Sequence, residues 1–535
     1  MRSMKKRRIR KRGELMRKKK VISCLLAGAM LLGAQQVWAA TVHYNDSSIT
    51  GGSEAWNAYK DSWNTLANDY TYVSLTPGAA ATEVNFAWYN EGTVGSPIVY
   101  FGTDRNNLTE YQGTSNNVDA SLTGGKNYCY NYVTVPGLAP NTTYYYAVSK
   151  SGVMSPVETY RTGSFDNVNI LYFGDPQIGA SKGQPQGEGA LAEGTGVENT
   201  AARNDGFAWD RTLDIAMEQN PNINFAISAG DQVNNTGKAK EEEYAAYLSA
   251  SALKSLPVAT TIGNHDSLNA DYSYHFNNPN PTNLGMTQAG GDYYYSYGPG
   301  LFIVLNTNNY NVAEHAESIR QAVESNPDAQ WRVVTIHQDI YGSGLDHSDT
   351  DGMILRTQLT PIFDQYDIDV VLQGHDHTYS RSKLLYGDGQ THNSYEFRLN
   401  EAGDDYDWDN AYNTVTGEKI GLYPAEGDAA GQAALAAFAQ DNHCYTIEES
   451  GASSVTNPQG TLYMTANSAS GSKYYELINT QQDYIANRSQ NWLPSYSVIN
   501  MSSNAFSITT YQITDNGAVE TIDDTFTIYK TAGRN

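Results

Sequence analysis

Six short apolar runs in this chain each lead into polar side chains able to hold a cation. They are Val168 to Phe173 before Gly174-Asp175-Pro176-Gln177, Phe225 to Ala229 before Gly230-Asp231, Val258 to Ile262 before Gly263-Asn264-His265-Asp266, Phe302 to Leu305 before Asn306-Thr307, Trp331 to Ile336 before His337, and Val370 to Leu372 before Gly374-His375-Asp376-His377. Short Val/Ile-rich runs closed by glycine predict strands buried on both faces of a sheet. Polar residues that follow such strands gather along one sheet edge, which is where open sheets bind ligands.

The pattern is different between Thr82 and Thr162. Thr82 to Trp88 alternates apolar and polar, Pro97 to Phe101 and Tyr132 to Val135 follow, and Leu138-Ala139-Pro140-Asn141 leads through Tyr144-Tyr145-Tyr146 into Ala147-Val148. Short strands with turn punctuation over about 85 residues predict a small all-β sandwich, and the Leu138 to Tyr146 stretch resembles the tyrosine corner of fibronectin type III domains. Upstream, Ala55, Trp56, Tyr59, Trp63 and Leu66 share one face of a helix predicted over Glu54 to Leu66. Those aromatics read as packing rather than as a carbohydrate platform. A second helix is predicted from Phe207 to Gln219. After the His pair a long insertion, Gly387 to Ser450, precedes a return to strands at Gly460 to Thr465, Ser497 to Met501 and Phe506 to Ile513.

The expected organisation is therefore a leader over 1–39, an extension over 40–75, the sandwich over 76–163 and a catalytic domain over 167–530, with insertions near 179–200 and 387–450. A chain of 535 residues exceeds what one core usually serves, in keeping with two domains. Met1 to Lys20 holds twelve Lys and Arg against one acid, Val21 to Ala34 is apolar, and Val37-Trp38-Ala39 offers a processing site. That is the layout of a secretory signal, since about 14 apolar residues fall short of the ~20 a membrane span needs. Cys24 at the start of the apolar stretch leaves a lipid anchor as the minor alternative.

Without this leader the charge changes from 34 minus 58, or -24, to 22 minus 57, or -35. Such acidity excludes a nucleic acid backbone as an expected partner, because phosphate-backbone binding relies on Lys and Arg. Cys129 and Cys444 are the only cysteines left, in different expected domains, so no disulfide framework organises the fold. Gly179 to Asn199 is either a lid or a passive surface loop. Asp404 to Asp409 lacks the glycine of a calcium-binding loop and reads as a solvated acidic face.

A Gly-Asp or Gly-Asn pair alone is an ordinary turn. What carries weight is the series, in order, each member after its own apolar strand. Divalent metals accept imidazole nitrogen, carboxylate oxygen and amide oxygen, and two metals ~3.5 to 4 Å apart share a ligand that a carboxylate can supply.

The motifs G-D-P-Q, G-D-Q-V-N, G-N-H-D, T-I-H and G-H-D-H resemble the calcineurin-like metallophosphoesterase superfamily, and the preceding sandwich makes the chain similar to its purple acid phosphatase branch. The resemblance implies an α+β protein: a four-layer α/β/β/α sandwich behind an all-β fibronectin type III-like domain. It implies two divalent ions, Mn, Zn or Fe, with Asp175, Gln177 and His377 on the first and Asn264, His337 and His375 on the second. Asp231 would bridge them. His265 would protonate the leaving oxygen, oriented by Asp266.

Arg381 is a candidate phosphate contact or an ion-pair partner, and His347 either reaches the substrate or is an exposed bystander. His43, His275, His315, His392 and His443 have no motif around them.

Two departures from the family pattern stand out. Gln177 occupies a position where the superfamily commonly has His, and Asn234 replaces the tyrosinate that colours purple enzymes. A colourless enzyme is therefore expected. The implied activity is secreted phosphomonoester hydrolysis by a hydroxide activated between the metals. The alternatives are a phosphodiesterase acting on nucleotides or lipid head groups, and a surface binding protein with an inactive metallo-domain.

Overall fold

The computed structural model describes residues 53–531 apart from 184–199, 238, 346, 349, 400–409, 422–423, 426 and 449–452. The expected leader, most of the Gly179 to Asn199 loop and the acidic cluster Asp404 to Asp409 lie outside the described residues.

The Thr82 to Thr162 region forms two facing antiparallel sheets. Glu83–Glu91 and Tyr128–Pro136 pair at the centre of one; Ile98–Asp104 and Thr143–Lys150 pair in the other. Val84, Phe86 and Trp88 point inward at the two-residue period of a strand and meet Val99, Phe101, Tyr146 and Val148. The Tyr144 hydroxyl accepts the Ala139 N–H at 2.8 Å, which is the expected tyrosine corner. The opposite face of Glu83–Glu91 is covered too, because Asn85 donates to the Asn277 carbonyl at 2.8 Å and Tyr89 to Glu241 at 3.0 Å. Both faces are buried because the second one docks on the larger domain.

In that larger domain β1 (Val168–Phe173), β2 (Phe225–Ser228) and β3 (Val258–Thr260) run parallel in a seven-stranded sheet. β4 (Gly300–Val304), β5 (Trp331–Thr335), β6 (Val370–Gln373) and β7 (Thr461–Thr465) run parallel in an eight-stranded one. The sheets pack face to face: Ile170, Tyr172, Phe225 and Ile227 meet Phe302, Val333, Val370 and Leu372.

The outer face of the first sheet, Leu171, Phe173 and Ala226, lies against helices. These are α1 (Glu54–Leu66), α2 (Thr200–Gln219) and α3 (Glu241–Leu248), which contribute Trp63, Trp209, Leu213 and Tyr247. Val334, Val371 and Tyr463 face outward from the second sheet toward Ile319, Leu355 and Phe363 on helices Val312–Ser325 and Asp351–Gln365. This is the α/β/β/α arrangement. Each parallel strand buries both faces, which is why the runs are continuous rather than alternating. At ~1.5–3 kcal/mol per large apolar side chain, these layers dominate the stability.

Helix α1 starts where Ser53 Oγ accepts the Trp56 N–H at 3.0 Å. Trp56 and Tyr59 contact the Phe207 ring at 5.2 and 5.5 Å, so its aromatics pack against the catalytic domain. Helix α2 begins at Thr200, earlier than the predicted Phe207. Gly206 lies inside this helix, and a Cβ there would sit 2.6 Å from the Tyr59 hydroxyl and 2.9 Å from Ala246. It is small because helices meet closely at that point. Cys129 and Cys444 are both buried and free. No helix among the described residues is long and apolar enough to cross a membrane.

Candidate metal centre

The C-terminal ends of the parallel strands meet where the two sheets face each other. Each predicted ligand except His337, which comes directly after its apolar run, follows its strand through a glycine turn, and three of these glycines are needed because ligands lie against them. A Cβ on Gly230 would be 2.4 Å from His337 Nδ1, one on Gly263 2.0 Å from Asp231 Oδ1, and one on Gly374 2.6 Å from Asp175 Oδ1.

Asp175, Asp231 and His337 are buried and offer ligand atoms that all lie within 4.8 Å of one another. His337 Nδ1 donates to the Ala229 carbonyl at 2.9 Å, which leaves the Nε2 lone pair facing the centre. There Nε2 lies 3.0 Å from Asn264 Oδ1, 3.1 Å from His375 Nδ1 and 3.5 Å from Asp231 Oδ1. His377 is fixed in the same way: Nδ1 donates to the Lys473 carbonyl at 2.9 Å and Nε2 turns to Asp175 Oδ2 at 3.3 Å. Gln177 Nε2 reaches Asp231 Oδ2 at 3.4 Å, and the Gln177 backbone N–H donates to the Asp231 carbonyl at 2.7 Å.

Whether these residues suit a pair of cations is answered by their acceptors. Asp175 Oδ2 and Gln177 Oε1 are buried and have no hydrogen-bond donor. A buried oxygen without a donor costs about 1–3 kcal/mol, which a cation offsets. The donor set therefore fits divalent metal. Burial by itself would raise the Asp175 carboxyl, but His377, followed by His337 and His375, holds it below the usual carboxylate range.

Gln177, Asp231, His375 and His377 all adopt positive φ, at 36°, 48°, 64° and 47°. Such backbones are disfavoured for residues with a Cβ and persist where the surroundings impose them.

His265 lies at the rim with its side chain one-fifth exposed. Its N–H donates to Asp231 Oδ1 at 2.9 Å, its Nδ1 donates to the Asn234 carbonyl, and its Nε2 is 3.9 Å from Asp231 Oδ2. Burial pushes the imidazole down to about 4, against the pull of Asp231. Asp266 does not orient that ring. Its Oδ2 instead accepts from the Gly263 and Gln232 N–H groups at 3.0 and 3.4 Å, bracing the turn from beneath. The turn aims the two adjacent side chains in different directions.

Arg381 is not at the centre. It forms a two-pronged pair with Asp523 at 2.6 and 3.2 Å, over the Phe526 ring, and is 8% exposed. The ion-pair alternative is correct, but buried: strand Tyr379–Gly387 turns this side chain into the space between the sheets. His347 does reach the site, its ring 3.9 Å from that of His375 and 4.6 Å from that of Tyr475. His275 and His315 are buried structural residues bonded to Glu241 and Asp292.

Lys473 went unpredicted. The strand-end loop after β7 brings its ammonium over the Tyr475 ring at 4.8 Å, and Tyr475 contacts both His347 and His377. Burial would lower the amine, but Tyr475, Asp231 and Asp175 together keep it raised and hence charged. Ser470 and Ser472 of the same loop donate to the Pro176 carbonyl. The sequence does carry a trace of this, since Leu462 to Met464 is a seventh apolar run that ends in small polar residues.

Comparison with known proteins agrees with this geometry. Residues 70–162 match the family model for the purple acid phosphatase N-terminal domain, and residues 168–379 that for the calcineurin-like phosphoesterases. Residues 168–379 are thus a calcineurin-like phosphoesterase domain. The domain ahead of it makes the chain similar to the purple acid phosphatase-like branch. Two uncharacterized proteins of Mycobacterium tuberculosis, from strains CDC 1551 / Oshkosh and ATCC 25618 / H37Rv, are each 24% identical over 352 residues. The match covers 58% of this chain and 61% of each relative's length. In fold the chain is similar to purple acid phosphatase PPD1 from yellow lupin (Lupinus luteus) seeds, with a TM-score of 0.53 at 13% identity, over 87% of this chain and 74% of that one.

Proposed function

We propose that this protein is an exported, metal-dependent phosphomonoesterase that uses His265 as the acid for the leaving oxygen. The observation that carries the reading is the convergence of Asp175, Asp231, Asn264, His337 and His375 on one centre, with buried acceptors that no donor satisfies. Two divalent ions bound there supply charge neutralisation for the phosphoryl oxygens and a lowered pKa for water.

The chain's own residues do the rest. Asp175, Gln177 and His377 would hold one ion, Asn264, His337 and His375 the other, and Asp231 both. His265 presents Nε2 toward the centre while the Asn234 carbonyl keeps its other nitrogen protonated, so any proton it transfers leaves from Nε2. Lys473 adds positive charge beside the centre, next to a His347 ring that burial and its charged neighbours keep neutral. A phosphomonoester dianion gains more from that charge than a diester monoanion, which favours the monoesterase reading. Asn234 in place of a phenolate supports a colourless enzyme using Mn, Zn or ferrous iron, and the pattern of residues 1–39 supports export.

The test is metal analysis combined with turnover of p-nitrophenyl phosphate and of its bis ester. Bound metal with faster monoester turnover is expected. A faster bis ester would make the enzyme a diesterase, and protein inert after Mn or Zn addition would make it a binding protein. A tyrosinate-to-iron absorption band would overturn the colourless assignment.

A further inference from the structure

The proposed acid His265 lies in a turn, and the Asn234 carbonyl that grips its ring lies in a second irregular segment. The Asn234 segment has one short backbone bridge, to Ile178, and both segments are further held by residues at the start of α3. Glu243 accepts from the Asn234 and Asn235 N–H groups at 2.9 Å each and from Asn235 Nδ2 at 2.7 Å. That fixes the peptide whose carbonyl faces His265 Nδ1. Lys240 Nζ donates to the His265 carbonyl at 2.8 Å and lies 3.6 Å from Asp271, both side chains having no exposure. One helical turn thus holds the ring and the backbone of the same histidine.

Glu241, between them in sequence, faces the other way. Its carboxylate accepts from the Tyr89 hydroxyl at 3.0 Å and from His275 Nε2 at 2.7 Å, with side chains 2% exposed in the His275 pair. Tyr89 stacks on the His275 ring at 4.5 Å, and Tyr244 of α3 contacts that ring at 4.4 Å. Without the Tyr89 hydroxyl one oxygen of this buried carboxylate would lose its donor and His275 alone would remain, so Tyr89 helps to hold the helical turn in place. Tyr89 belongs to the N-terminal sandwich.

We infer that Lys240, Glu241 and Glu243 are positioning residues for His265, and that the sandwich completes this bracket through Tyr89. The inference rests on the reading of His265 as the acid. It gives the sandwich a place in the chemistry, since an acid displaced by ~1 Å from its leaving oxygen loses on the order of 100-fold.

The experiment uses the full chain loaded with Mn or Zn and the variants Lys240→Met, Glu243→Gln and Tyr89→Phe. Each is assayed on an alkyl phosphate, whose leaving group needs a proton, and on p-nitrophenyl phosphate, whose leaving group does not. The expected result is a fall in kcat on the alkyl ester about tenfold or more beyond that on the aryl ester, with KM and bound metal unchanged and partial recovery in Lys240→Arg. Tyr89→Phe removes one hydroxyl and keeps the ring stack, so it reports even if the other variants fold poorly. Equal loss on both esters, or loss that only tracks metal content, overturns the bracket. If His265→Ala shows leaving-group dependence and the bracket variants do not, the bracket falls alone; if His265→Ala shows none, the acid reading falls with it.

Discussion

Replacing His265 by alanine removes one imidazole whose two nitrogens have separate tasks. Nδ1 is committed to the Asn234 carbonyl, so only Nε2 can carry the proton for a leaving alkoxide. Burial holds the ring down to about 4, with Lys473 and His337 adding to the effect and Asp231 and the Asn234 carbonyl opposing it. In the free enzyme the acid form is then about one molecule in a thousand at pH 7 and about one in ten at pH 5. The sign follows directly: kcat/KM on an alkyl phosphate, taken relative to p-nitrophenyl phosphate so that the nucleophile's ionisation cancels, falls about tenfold per pH unit above ~4. A bound phosphoryl dianion favours the imidazolium, which moves the same limb to higher pH in kcat.

His265→Ala should cost ~100 to 10,000-fold on the alkyl ester, or about 3–5 kcal/mol, and tenfold or less on p-nitrophenyl phosphate. The assay is a pair of pH–rate profiles from pH 4 to 8 for each ester, in both proteins at matched metal content. The reasoning is refuted if the falling limb survives in His265→Ala, or if both esters suffer equally.

Three further outcomes are expected. Arg381→Met leaves Asp523 between the sheets without its counter-charge, with the Tyr379 hydroxyl still donating to it, and should lower unfolding stability by about 3–5 kcal/mol in urea titrations while bound metal is retained; a change below ~1 kcal/mol would show the pair to be solvated. Gln177→His replaces a neutral amide oxygen by a stronger imidazole donor, so competition with a chelator should show tighter retention of one ion of the pair; weaker retention would place Gln177 outside the metal shell. Lys473→Met should raise KM for p-nitrophenyl phosphate about tenfold and leave the bis ester within about twofold, because the lost charge counts most against a dianion; equal shifts on both would remove Lys473 from phosphate recognition.

How far the site was legible follows from what a local pattern encodes. Continuous Val/Ile-rich runs report burial on both faces, and a glycine followed by Asp, Asn or His reports a strand end with a ligand type. Those patterns, with His337 after its own run, carried the family resemblance that implied Asp175, Asp231, Asn264, His337, His375 and His377 as one ligand group, and the structure brings them together. Helix α1 was equally plain, because its aromatic stripe follows the helical period without interruption. Helix α2 extends back to Thr200 through Gly206, whose absent side chain answers to Tyr59 and Ala246 rather than to its own segment.

By itself the sequence determined which residues are apolar strand, which are turn and which chemical groups stand at each strand's end, because these depend on neighbours within a few positions. Only the tertiary structure decided partners. Arg381 meets Asp523, 142 positions away, instead of the substrate side; Lys473 arrives from a loop beyond the insertion; Asp266 turns beneath the loop while its neighbour His265 faces the centre. The positive φ angles at Gln177, Asp231, His375 and His377 belong to the same class. Asp and His tolerate that region better than most residues, but which positions adopt it is decided by how the strand ends turn into the site.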